Sequence, residues 1–158
     1  MIRKLFALTA LVAASAAIPA VALEAEQRVL KEVVVKQADG TEKKSYVAAD
    51  LVTPGSTIVY ALVFRNDQPA PADDIVLVMP VPSEVAYIEG SATNRLGVAD
   101  FSADGGTSYA PRQSLNVTEA NGTVRAAASE DITHVRWSIA KAVQPGETGQ
   151  LWFRGTLK

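Results

Sequence analysis

Thr53-Pro54-Gly55-Ser56-Thr57-Ile58-Val59-Tyr60-Ala61-Leu62-Val63-Phe64-Arg65-Asn66 reads as a turn, a strand and a stop. Pro-Gly opens the stretch with a turn, and Asn66-Asp67 closes it. Ile58, Tyr60, Leu62 and Phe64 fall on one side of a period-2 strand, so this segment is expected to carry the middle of a core.

On its C-terminal side the same grammar repeats. Asn66 to Asp74 is a loop fixed by Pro69 and Pro71, which have no N–H for a ladder. Ile75 to Met79 is a short apolar strand, and Val85 to Glu89 another, ended by Gly90-Ser91. Val98 to Ser102 and Thr107 to Tyr109 flank Asp104-Gly105-Gly106 as a hairpin. Leu115 to Val117 and Val124 to Ala126 flank Asn121-Gly122 as a further one. Ile132 to Ala140 alternates, with Val135, Trp137 and Ile139 opposed to His134, Arg136 and Ser138. After Pro145-Gly146, Gly149 to Leu157 places Leu151, Phe153 and Leu157 on one face.

On the N-terminal side, Val29 to Lys36 is a β-branched strand returning through Asp39-Gly40 into Thr41 to Val47. Leu23 to Arg28 is polar and expected to fray. Short strands with frequent turns and no amphipathic helix predict an all-β, immunoglobulin-like antiparallel β-sandwich over 47–158. Residues 23–46 are expected to form an added N-terminal hairpin. Trp137 is the expected centre of the core, with Tyr60, Phe64 and Leu77 around it.

Residues 1–22 have the grammar of an export signal. Arg3 and Lys4 precede an uncharged apolar run from Leu5 to Ala17, and Ala20-Val21-Ala22 offers small residues for a peptidase. The expectation is a mature chain starting near Leu23, periplasmic or extracellular, with no segment long enough to span a membrane. A chain of that length builds a core without disulfides, in keeping with its lack of cysteine. The formal charge is −2, and it becomes more negative when Arg3 and Lys4 leave. With no basic cluster, nucleic acid is excluded as a partner class.

The order of several short segments also resembles a known family. Val52 to Tyr60 leads into Asn66, then come Ala72 to Pro82 and Tyr87 to Ala92. Asp104-Gly105-Gly106, Val135-Arg136-Trp137 and Pro145-Gly146-Glu147 follow. Over Val47 to Leu157 this resembles the bacterial domain of unknown function eleven, an immunoglobulin-like module of exported and surface proteins. The resemblance implies a fold and a compartment and brings no catalytic residues. On this resemblance a single module without a wall-sorting signal is expected, which departs from the family's usual repeated setting.

Residues with chemistry are sparse. His134 is the only histidine, so a multi-histidine metal site is excluded. A serine paired with it is the one nucleophile arrangement left open, and no G-x-S-x-G elbow is present. The reading is therefore of a protein that is not an enzyme and holds no cofactor. Calcium is the one ion the composition admits, through Asp73, Asp74, Asp100 and Asp104, whose spacing matches no EF-hand loop.

The candidate interaction face follows from alternation. If Ile75–Met79, Ile132–Ala140 and Gly149–Leu157 share a sheet, its outward side shows Val76, Val78, His134, Arg136, Trp152 and Arg154. Tryptophan and arginine among valines is a composition enriched in protein-binding surfaces. The competing expectation is that the N-terminal hairpin covers this face. The function predicted is a non-catalytic, monomeric module binding another envelope or surface protein. The alternative is a pilus-like subunit that donates Val29–Val35 as a strand to its neighbour.

Overall fold

The computed structural model describes residues 23–92 and 95–158. The expected export signal, residues 1–22, lies outside them. Ten strands follow in order: β1 Glu24–Lys36, β2 Glu42–Ala48, β3 Thr57–Arg65, β4 Val76–Pro80, β5 Val85–Tyr87, β6 Gly97–Ser102, β7 Asn116–Thr118, β8 Val124–Ala126, β9 His134–Ile139 and β10 Thr148–Leu157. A five-stranded sheet, β2-β1-β3-β10-β5, packs against a three-stranded sheet, β4-β9-β6, and every pairing is antiparallel. The all-β sandwich expected from the sequence is the fold. A small ribbon of β7 and β8 stands beside the two sheets.

The core lies between the sheets. Ile58, Tyr60, Leu62 and Phe64 of β3 are buried as their alternation requires, and Leu151 and Phe153 of β10 lie beside them. Met79, Val135, Trp137 and Phe101 close it from the other sheet. Tyr60 stacks on Phe153 with centroids 4.9 Å apart, and Tyr87 meets Phe101 edge-on at 5.2 Å. Leu77, opposite Trp137 in the β4–β9 register, is partly buried at the margin of this cluster.

Two local expectations are corrected. Glu24 to Arg28 does not fray but pairs with Arg65 to Ala61, extending β1. Its polar composition is explained by burial, because no residue of β1 or β2 is buried and no apolar alternation is required there. Thr107 to Tyr109 is not a returning strand. Only a single bridge, Phe101 to Ala110, marks the return, because the loop is folded around the Asp104 carboxylate instead. The expected N-terminal hairpin is formed by β1 and β2, and β1 joins it to the sandwich by pairing along β3, so it extends the five-stranded sheet. The turn glycines are where expected, with Gly40 and Gly122 at φ of 84°. Only glycine adopts that angle without strain in so tight a hairpin.

Candidate interaction faces

Sheet membership decides which outward residues meet. β4 and β9 lie in the three-stranded sheet and β10 in the five-stranded one, so the six residues expected on one surface are divided. Val76, Val78, His134 and Arg136 face outward on the small sheet. Trp152 and Arg154 face outward on the large sheet, on the opposite side of the sandwich. Periodicity places a residue on a face but says nothing of which sheet its strand will join.

On the small sheet, Val76, Val78 and Val98 are exposed around Arg136. The Arg136 guanidinium donates to Asp100 Oδ2 at 2.9 Å and sits 4.2 Å from the centre of the Tyr109 ring. That combination of ion pair and cation–π contact fixes it as part of the wall. Its Nε is buried without an acceptor among the described residues.

His134 lies opposite Ser102 in the β6–β9 register, which brings a serine, a histidine and Asp104 into one neighbourhood. The connections are wrong for a nucleophile. Ser102 is fully buried, and its hydroxyl donates to Asp104 Oδ1 at 2.7 Å while accepting from the Gly106 N–H. His134 Nδ1 lies 3.2 Å from Thr133 Oγ1. A nucleophile needs a base able to take its proton and access to substrate, whereas the Ser102 hydroxyl is bonded to a carboxylate held below its usual range and is shut off from solvent.

The four carboxylates considered for calcium also do not converge. Asp100 is held by Arg136. Both Asp104 oxygens accept from Ser102, Thr107 and Ser108, and the Ser108 hydroxyl above all holds this carboxyl far below its usual range. Among the described residues, no three histidine or acidic side chains are grouped to hold a metal ion.

The large sheet presents a hollow of about 560 Å³. Its floor is Val59 and Ala61, which point outward yet are buried, because longer side chains rise on both sides of them. Trp152 and Arg154 form one wall from β10, and Leu30 and Tyr46 form the other from the hairpin. Trp152 is 40% exposed and Tyr46 51%. The hairpin, expected as a cover, therefore joins the sheet edgewise and walls the hollow. Arg154 reaches Glu32 at 3.4 Å, and Lys44 reaches the same carboxylate at 2.6 Å. The Lys44 hydrogen bond is the main reason the Glu32 carboxyl titrates below its ordinary value.

Sequence reasoning found Trp152 and Arg154 but missed Leu30 and Tyr46. The missing signal is the pairing of β1 with β3, a contact between segments about thirty residues apart that leaves no local mark. Comparisons with protein-family models, curated proteins and solved structures find no match for this chain.

Proposed function

We propose that this protein is an exported, non-catalytic module that binds an extended segment of another envelope or surface protein in the hollow of its five-stranded sheet. The observation that carries the reading is the hollow itself, a trough with small side chains on its floor and Trp152, Arg154 and Tyr46 standing above it. Trp, Tyr and Arg are the residue types that dominate binding energy at protein interfaces, and a narrow apolar floor between two walls suits a chain laid along β3. The formal charge of −2 and the pairing of Arg154 with Glu32 argue against a phosphate backbone as the occupant. Export rests on the basic start, apolar run and Ala20-Val21-Ala22 of the first 22 residues.

The competing strand-donation reading requires Val29–Val35 to leave its own sheet. In this chain Val29 to Lys31 pairs with β3 and Leu30 to Val35 with β2, so donation would break both pairings.

A photo-crosslinking amino acid placed at Trp152 or at Val78 separates the two outer faces in intact cells. The expected result is one envelope protein joined through position 152 and not through position 78, with capture lost when Tyr46→Ser is added. Capture through position 78 alone would move the function to the small sheet. No adduct from position 152 would remove the reading.

A further inference from the structure

The stagger of β1 leaves part of one edge open. β3 pairs with Glu24 to Lys31, whereas β2 pairs with Leu30 to Lys36 on the other side. Beyond Lys31 the side occupied lower down by β3 has no strand partner among the described residues. The backbone direction is fixed by alternation. The Val29 carbonyl accepts from Ala49 N–H on the β2 side, so odd residues address β2. Glu32, Val34 and Lys36 therefore turn their N–H and C=O groups to the vacant side.

We propose that a second copy of this chain pairs with the Glu32–Lys36 edge of β1 in antiparallel register about a two-fold axis at Val34. The sequence of the edge, Glu32-Val33-Val34-Val35-Lys36, is complementary to itself when reversed. In that register Val34 faces the same residue of the copy, Val33 faces Val35, and Glu32 faces Lys36 at both ends. The central pair is then a hydrogen-bonded one, as the alternation demands. A two-fold interface needs this self-complementarity, and opposite charges directly across a ladder favour it.

Exposure agrees. Val34 is 57% exposed and Val35 45%, in a hairpin that buries none of its own residues. An open apolar edge is a feature that sheets ordinarily block. The outer edge of β2 is blocked in this way by Lys43 and Lys44, and the Glu32–Lys36 edge carries no such pair of like charges. Lys36 makes no ion pair among the described residues, and in this register it meets the Glu32 carboxylate that Lys44 and Arg154 already hold in place. This pairing is independent of what occupies the hollow.

The test uses protein purified from cells expressing the whole chain. Sedimentation is expected to show a concentration-dependent dimer that Trp152→Ser leaves intact. Lys36→Glu turns two opposite-charge pairs into like-charge pairs and is expected to weaken the dimer about tenfold. Register is read with cysteine, which the chain lacks. Paired residues about 5.5 Å apart at Cα lie within disulfide reach, so Val34→Cys is expected to give a covalent dimer under mild oxidation. Val29→Cys, on an exposed site outside the edge, is expected not to. A monomer at all concentrations overturns the proposal. So does equal cross-linking from the two cysteine variants, or a dimer indifferent to Lys36→Glu.

Discussion

Trp137 donates its indole N–H to the carbonyl of Ala92, 3.0 Å away, and both residues are fully buried. The same Ala92 sends its own N–H to the Tyr87 hydroxyl at 3.2 Å. One short loop after β5 is thereby fastened to both sheets, and the largest side chain of the core has its polar atom satisfied. Trp137→Phe leaves the Ala92 carbonyl without its partner and a gap beside it. A loss of about 2–4 kcal/mol is expected in urea unfolding. The chain has two tryptophans, so Trp152→Phe isolates Trp137. Its emission is expected to be blue-shifted and shielded from acrylamide, and the reciprocal variant red-shifted and readily quenched.

Asn66 is a fully buried polar residue whose carboxamide closes a loop. Its Nδ2 donates to the carbonyls of Ala70 and Val143, at 2.9 and 2.8 Å, and its Oδ1 accepts from the Gln68 N–H at 3.0 Å. Asn66→Ala strands those backbone groups out of reach of water and is expected to cost about 2–3 kcal/mol. Asn66→Asp is expected to be worse at neutral pH, because it sets an anion against two carbonyls. Denaturant midpoints for the two variants check the order.

Gly149 faces Phe64 across β3 and β10, and a Cβ at that position would enter the Phe64 ring. Gly149→Ala is expected to destabilise by about 1–3 kcal/mol through overpacking. Phe64→Leu removes part of the obstruction. The double variant is expected to be less damaged than the sum of the singles, a coupling that a double-mutant cycle measures.

Acid should loosen the loop after β6 before the core is lost. The Ser108 hydroxyl and N–H, with Ser102 and Thr107, hold the Asp104 carboxyl well below its ordinary value. A carboxyl depressed on folding contributes stability that is complete above its unfolded range and disappears as pH falls through the folded value. Melting temperature is therefore expected to be insensitive to Asp104 from pH 7 to pH 5 and to fall with acid below about pH 4. Asp104→Asn is expected to lower the neutral-pH melting temperature and to flatten that acid limb.

The turns and faces of this protein were written locally. Asp39-Gly40 and Asn121-Gly122 specify tight hairpins because glycine alone takes their left-handed backbone freely. Alternation in β3, β9 and β10 specified which side chains would be buried, because a pleated strand turns every second residue to the same side. The partners of each strand were settled only by the fold. β9 and β10 carry the same kind of pattern yet join different sheets, which separated Arg136 from Trp152. The stagger that brings Leu30 beside Val59 and frees the edge at Val34 is likewise a product of long-range pairing. A period of two fixes direction within a strand, while the choice of neighbour depends on which distant surfaces fit, and no short stretch of sequence contains both halves of that fit.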